Sequence, residues 1–545
     1  MVSQKNDKIK VWQPLALSIM LAIGMLFGYK MNDRDQGNLI EYVDQDDKAA
    51  AVGEIEELIR FIETRYVDSV DRDYLVEKAI SAVLGELDPH SVYITPEQLR
   101  SVNDEMEGTF RGIGVEIFYI DDTVNVISTI PDGPADRAGI MPFDKLISIN
   151  DSIVAGQGLE FSEIRKMLRG DIGESLQIKL LNRNRDQKVA DIIINDIPVS
   201  SVKGGVMVDD QTGYVKLERF GSKTYSEFMD HFESLTKDQG MKNIVIDLRD
   251  NPGGYLPQAT NILSQLFKEK GNLLVYTKGN NDRKFEYKST GKTFFPIEKV
   301  SVLIDENSAS GSEILAGAVQ DWDRGVIVGR RSFGKGLVQE QYDLSNQGAL
   351  RLTIARYYTP SGRSIQRTYE DMESYYTDYE DRYYSGEFFS KDSINKGNTD
   401  LYETMQLKRP VFGGGGITPD IFIPIDSVRF DPFYMEVMSE IPQFVFKAMM
   451  QNDAMIENAN IDASIQELFD SFIANKQTKE NQGDLANLNS YIMERIHSSL
   501  IRFIDGDKEV IKFELNSDPF LKASLDYFYS EDKLTDLLDV TSLKN

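Results

Sequence analysis

Val300-Ser301-Val302-Leu303-Ile304, followed by Ser308-Ala309-Ser310-Gly311-Ser312-Glu313-Ile314-Leu315, is the stretch on which the fold turns. Residues 300–304 form a near-continuous apolar run, the pattern of a strand buried on both faces. A helix follows through Ile314, Leu315 and Val319, and a further strand is predicted at 326–328. Upstream, residues 244–248 repeat the buried-strand signature and residues 213–217 read as another strand. Between them, residues 222–236 form an amphipathic helix with Tyr225, Phe228, Met229 and Phe232 on one face. Alternation of strands and helices from 206 to about 359 predicts α/β layering.

The flanks differ. From about 49 to 99 the apolar spacing is helical (Ile55, Leu58, Ile59, Ile62, then Leu75, Ala79, Ile80, Val83, Leu84), until Leu87-Asp88-Pro89 stops it. Residues 100–185 read mainly as short strands, with turns at Asp121-Asp122 and Gly133-Pro134 and a helix over 161–168. A tyrosine- and acid-rich stretch, 369–389, shows no period and is predicted to be an irregular surface insertion. Gly413 to Gly416 mark a loop, and from 430 onward the chain is helical and polar. With 545 residues, two to four domains are expected.

The net charge of −28 argues against a nucleic-acid partner, which needs clustered Lys and Arg. The absence of cysteine removes thiol nucleophiles, thiolate zinc sites and disulfides. Lys5, Lys8 and Lys10 precede an apolar run over 11–29, long enough as a helix to cross a bilayer. Basic residues before the run and acidic ones after it orient it with the N-terminus in the cytoplasm. The run reads as a retained anchor in preference to a cleaved signal, because no small-x-small site precedes Lys30. Either way the bulk of the chain is exported, and a periplasmic location is expected.

Any serine in the 308–313 turn sits where a strand feeds a helix, beside unpaired helix N–H groups suited to an oxyanion. Taken alone, Ser310 followed by Glu313 is a capping box. Gly334-Lys335-Gly336 places a lysine in a loop that can approach another element closely. The chain has three histidines. His231 falls on the side of its helix away from the apolar face and is expected at the surface, His90 follows a turn far from the core in sequence, and His497 lies in the polar C-terminal region. A lysine base is therefore the economical partner for a serine nucleophile, given a pocket that desolvates it. Gln339, four residues on, can orient the amine without adding charge.

Ser-Ala-Ser-Gly-Ser-Glu-Ile-Leu-Ala-Gly-Ala-Val-Gln-Asp (308–321) and Phe-Gly-Lys-Gly-Leu-Val-Gln (333–339) resemble the active-site signature of the carboxyl-terminal processing (tail-specific) serine proteases. The resemblance implies Ser310 as nucleophile, Lys335 as base, Gln339 as its orienting partner and Asp321 as structural support. Asp-Leu-Arg-Asp-Asn-Pro-Gly-Gly (247–254) is similar to a segment of that family in which a glycine N–H joins the oxyanion hole. Gly253 and Gly254 are both open as partners of the Gly311 N–H. Gly311 itself stands where alanine is more usual. Residues 100–185 resemble a PDZ domain: Arg111-Gly112-Ile113-Gly114-Val115 takes the place of its carboxylate-cradling loop, and 133–140 matches a following helix start.

The fold class so implied is a ClpP/crotonase-like α/β protease core with an inserted PDZ domain. Its parts are a cytoplasmic stub and transmembrane anchor (1–30), an N-terminal helical region (31–99), the PDZ domain (100–185), the protease core (186–429) and a C-terminal helical extension (430–545). The implied function is an exported serine endopeptidase that captures polypeptides with free C-termini. No metal or organic cofactor is implied, and a homo-oligomer remains open. The alternatives are a catalytically inactive PDZ scaffold and an envelope adaptor protein.

Overall fold

The computed structural model describes residues 45–280, 283–394, 400–452, 461–478 and 482–530. The apolar run at 11–29 lies outside the described residues. Among them, no helix is long and apolar enough to cross a membrane. The described residues up to Val83 form a unit of their own, with helix Gln45–Arg65 and most of helix Arg72–Gly85. Within it Ile55, Leu58 and Phe61 are exposed.

The second unit begins at Leu84 and is built on a six-stranded sheet. Its order is Val202–Met207, Thr212–Leu217, Asn243–Asp247, Val300–Ile304, Val326–Gly329, Ile421–Phe422. The first pair is antiparallel and the rest parallel, with Ile246 opposite Val302 and Val302 opposite Ile327. Because side chains alternate along a strand, the central strands bury two apolar faces. Ile244, Ile246, Val302 and Ile304 pack with Phe228, Phe232, Ile262 and Leu315 from helices Thr224–Glu233, Leu256–Leu266 and Gly311–Asp321. Val245, Leu303 and Val328 face the other way, onto Phe520, Leu521 and Phe528 of helix Pro519–Tyr529. Burying each of those three side chains is worth about 2 kcal/mol. The C-terminal region is thus the second cover of the core sheet, a role its polar sequence did not reveal.

A second sheet centres on Ala349–Tyr358. Leu337–Asp343 pairs with one side of it, and Lys270–Gly279 and the short strand Val92–Ile94 also pair with it. The region expected to be helical over 31–99 also holds a strand: beyond the stop at Leu87-Asp88-Pro89, residues 92–94 form a strand that brings the Asp88-Pro89-His90-Ser91 turn to this sheet. Three residues are too few for periodicity to register.

Residues between Thr109 and Pro198 form an antiparallel unit in the order Val115–Ile120, Thr123–Thr129, Lys145–Ile149, Ser175–Leu181, Gln187–Ile193. Thr109–Gly112 pairs separately with Asn195–Pro198. The boundary at 185 is therefore too early. Gln187–Ile193 pairs with Ser175–Leu181 across a tight hairpin, and its buried Ala190 and Ile192 belong to the same core as Leu176 and Ile178. Val115–Ile120 is an edge strand whose neighbour is Thr123–Thr129. Its Phe118 packs on Phe446 and Phe503 of helices Pro432–Gln451 and Asn489–Asp505, and its Glu116 pairs with Arg502 at 2.7 Å. The C-terminal helices so bridge the antiparallel unit and the core sheet.

The segment expected to be irregular at 369–389 contains a helix, Met372–Tyr384, capped by the Asp371 carboxylate on the Glu373 N–H. Its buried residues, Tyr375 and Arg382, are polar. Arg382 is satisfied by Glu387 and the Arg331 carbonyl, so hydrophobic periodicity could not find this helix.

Candidate active site

The strand Val300–Ile304 ends in a tight turn in which Asp305 and Ser308 bond each other and Ser308 Oγ donates to the Leu248 carbonyl. Ser310 closes this turn with φ 52° and ψ −111°, a left-handed conformation that costs a non-glycine residue of order 1–3 kcal/mol. Helix Gly311–Asp321 starts immediately after it and is buried along its whole length. The strain lifts Ser310 out of both strand and helix; its side chain is half-buried, whereas Ser308 and Ser312 are fully buried and bonded to main-chain carbonyls.

Facing this turn is the loop after Asn243–Asp247. Gly253 and Gly254 have φ of 95° and 141°. A Cβ on Gly253 would lie 2.6 Å from Ala309 O and 2.7 Å from the Gly311 nitrogen, so only glycine permits this approach. The two glycines differ in their N–H groups. That of Gly253 is buried and donates to Asn251 Oδ1 at 2.8 Å. Gly254 is half-buried and bridges Phe220 through the bonds of its neighbours, Gly253 O and Tyr255 N, which leaves its own N–H out of the bridge. Asn251 is tied down by its Nδ2 on the Leu217 carbonyl and by its carbonyl under Ala309 N–H.

Lys335 is half-buried in the loop between Val326–Gly329 and Leu337–Asp343. Its Nζ donates to Gln339 Oε1 at 2.9 Å, and Gln339 Nε2 donates to the main-chain carbonyl of His90. Burial first, then the Arg351 charge, pulls the Lys335 amine below its ordinary value, while Glu313 and Asp88 pull the other way. The His90 carbonyl is held by the turn it belongs to. Asp88 accepts from the N–H groups of His90 and Ser91, from Ser91 Oγ and from Thr353 Oγ1. The His90 ring meets the Tyr375 hydroxyl at 2.7 Å, and burial with the nearby Lys335 charge lowers its pKa to about 4, so it stays neutral. A histidine distant in sequence thus stands at the site, contributing its carbonyl to the chain that ends on the amine.

Glu313 organises the centre. Its Oε2 accepts the N–H groups of Ser310 (2.9 Å) and Lys335 (2.8 Å); its Oε1 accepts Gly334 N–H (2.7 Å) and Ser332 Oγ (2.5 Å). Burial pushes this fully buried carboxyl up to about 7 against the lowering by those four donors. The Tyr357 hydroxyl adds a second tie, lying 3.0 Å from the Ser310 carbonyl and 2.6 Å from that of Lys335. Sequence reasoning saw Glu313 only as a cap partner; the signal it carried was a charged residue inside an otherwise apolar, buried helix. Asp321, at the other end of that helix, pairs with the fully buried Arg363 at 2.8 Å.

Ser310, Gly311, Gly253, Lys335 and Gln339, with Gly254 alongside, are thus brought into one cluster. Arg111 to Val115 lie outside it, in the antiparallel unit. There Gly114 turns the chain at φ 77°, and the carbonyls of Ile113 and Gly114 are bonded inward by Ala135 and Ile130 N–H. His231, expected at the surface, is half-buried against Gly205, where a Cβ would crowd its ring. The close strand leaves room for the imidazole because position 205 has no side chain.

Residues 211–374 match the model of peptidase family S41. The carboxy-terminal-processing protease of Bartonella bacilliformis is 39% identical over 325 residues, which are 58% of this chain and 72% of that protein. The chain belongs to peptidase family S41. A second relative of this S41 peptidase, the carboxy-terminal processing protease CtpB of Bacillus subtilis, is 32% identical over 322 residues, 58% of this chain and 66% of that one. Among solved structures, the photosystem II D1 C-terminal processing protease aligns with 70% of this S41 peptidase and 89% of its own chain, at a TM-score of 0.36 and 24% identity.

Proposed function

We propose that the chain is an exported serine endopeptidase working through a Ser310/Lys335 dyad, with Gln339 orienting the base and the N–H groups of Gly311 and Gly254 receiving the oxyanion. One observation carries the reading: the lysine amine is desolvated and held by a neutral amide, while the lysine's main-chain N–H shares the Glu313 carboxylate with that of the serine. In the acylation step the neutral amine takes the Ser310 hydroxyl proton as Oγ attacks the scissile carbonyl carbon. The tetrahedral oxyanion lies against the two N–H groups. Collapse breaks the C–N bond, and the Lys335 ammonium returns its proton to the departing amine. A water then attacks the acyl ester, losing a proton to Lys335, which passes it to Ser310 Oγ as the new C-terminus leaves. Gly253 is the weaker candidate for the hole because its N–H is already spent on Asn251.

The mostly parallel sheet supports a ClpP/crotonase-like core, and the antiparallel unit a PDZ domain that captures substrate tails along its unpaired edge strand. Export behind an N-terminal membrane anchor rests on the basic-apolar-acidic pattern of the first 47 residues. An inactive PDZ scaffold is the poorer reading because serine, lysine, glutamine and a hole with a spare donor are all present.

Cleavage of an unstructured polypeptide with a free or an amidated C-terminus tests both parts, using the full chain, Ser310→Ala and Lys335→Ala. Loss of cleavage in both variants, and slower cleavage of the amide, are expected. Wild-type rates in Ser310→Ala overturn the mechanism; indifference to amidation overturns tail capture.

A further inference from the structure

Helix Phe161–Met167 runs alongside the edge strand Val115–Ile120. At one end the Tyr119 and Phe161 rings stack at 6.1 Å; at the other, a Cβ on Gly112 would lie 3.5 Å from Leu168 O. Among the described residues the strand has one neighbour, so an extended chain can pair antiparallel with its open side. The Gln443 amide already occupies Tyr119 O at the far end, which leaves the Val115 end for such a chain. An antiparallel chain would finish beside Gly112.

There a cleft of about 530 Å³ opens, lined by Arg100, Arg111, Arg165, Arg169 and Arg219. Three lining carboxylates, Glu97, Asp104 and Glu105, oppose these five guanidinium groups. Asp171 and Asp196, beside Arg100 and Arg111, are further carboxylates around these groups. Arg219 is paired with Glu105 at 2.9 Å. Arg100 and Arg111 both face Asp171, whose side chain is 76% exposed and whose pairing is therefore weak and exchangeable. Among the described residues Arg111 Nε is buried without a hydrogen-bond acceptor, with an Asp196 carboxylate oxygen 3.7 Å away. Arg165 and Arg169 are exposed and have no carboxylate within ion-pair distance among the described residues.

We infer that this cleft is a specificity subsite for acidic side chains at the end of a captured polypeptide tail. The inference rests on tail capture by the edge strand. Asp171 stands where a ligand carboxylate would sit, and a tail ending in Asp or Glu brings two carboxylates, one for the loop at Arg111 and one for Arg165 and Arg169. Guanidinium groups bind carboxylates through paired, charge-assisted hydrogen bonds, which the amide of Asn or Gln cannot match.

The test is fluorescence anisotropy with the full chain carrying Ser310→Ala, so that peptides are not consumed. Three labelled peptides share one sequence and end in Asp, in Asn, or in Asp with an amidated terminus. The Asp peptide is expected to bind about tenfold tighter than the Asn peptide, the gain of one charge-assisted contact. Adding R165Q and R169Q, both surface positions, should bring that ratio near one without weakening the Asn peptide. Equal binding of Asp and Asn peptides, or a preference that survives the double substitution, overturns the subsite while leaving tail capture standing. If the amidated peptide binds as tightly as the free acid, or none binds, tail capture itself fails and the subsite with it.

Discussion

Ser310 and Lys335 donate their main-chain N–H groups to the same oxygen, Oε2 of Glu313, at 2.9 and 2.8 Å. The serine turn and the lysine loop are therefore held in register by main chain, independently of their side chains. Replacing Glu313 by Ala leaves four donors unpaired in a buried site, at about 1 kcal/mol or more each. A loss of about 3–5 kcal/mol in urea unfolding is expected, with kcat/KM falling by roughly 10²-fold or more. Glu313→Gln, which keeps one acceptor oxygen, should lose about half as much stability. Unchanged stability in the alanine variant would remove Glu313 from this role.

Activity should rise with pH. The acylation step needs neutral Lys335, whose pKa is lowered chiefly by burial, and protonation of Glu313 near 7 removes one of its acceptor sites. Both effects depress kcat/KM on the acid side. Stability runs the opposite way for Glu313. Between 4.5 and about 7 the folded chain keeps a proton that the unfolded chain releases, so its contribution is complete below 4.5 and lost as pH rises through about 7. Urea midpoints of wild type and Glu313→Gln across this window should diverge with that sign; parallel curves would show that Glu313 does not titrate there.

Gln339→Ala frees the amine from its side-chain acceptor and should lower kcat by roughly 10²-fold, with stability within about 1 kcal/mol. Tyr375→Phe removes the hydroxyl that braces the His90 ring and should cost about 1 kcal/mol or less of stability and a few-fold in rate. A Tyr375→Phe rate loss as large as that of Gln339→Ala would mean that helix Met372–Tyr384 has a more direct part in the chemistry.

Asn251→Ala should lower kcat by roughly 10²-fold with little change in KM, because Asn251 holds the glycine loop against Leu217 and the Ser310 turn without lying in a substrate path. Steady-state kinetics separates the two constants. An effect confined to KM would place the loop in substrate binding.

Asp518 pairs with Arg249 at 2.7 Å and caps helix Pro519–Tyr529 through the Phe520 N–H. Asp518→Ala should cost about 2–4 kcal/mol, and Asp518→Asn, which keeps the cap, about 1 kcal/mol less. Because Arg249 also pairs with the buried Asp247 at the head of the glycine loop, kcat should fall alongside. Thermal unfolding and kcat measured on the same preparations check this coupling of the C-terminal helices to the core.

The strand at 300–304, the helix after it and the serine between them were legible because each is a local pattern: a buried apolar run, a helical period and a capping sequence over neighbouring residues. The glycine-flanked lysine was visible for the same reason. The helix Met372–Tyr384 was not, since its buried face carries Arg382 and Tyr375, nor was the strand Val92–Ile94, too short for a period.

The sequence by itself determined the α/β alternation, the strand-to-helix turn that carries Ser310, and the residue types available to activate it. Only the tertiary structure decided that Glu313 gathers donors from residues 310, 332, 334 and 335, and that Gly253 rather than Gly254 spends its N–H on Asn251. It also decided that His90 closes the chain onto Gln339, and that helix Pro519–Tyr529 covers the far side of the sheet. The physical reason is one of range. Periodicity and capping act between residues a turn apart, whereas a buried donor takes whichever acceptor the folded chain sets within about 3 Å, at any distance in sequence.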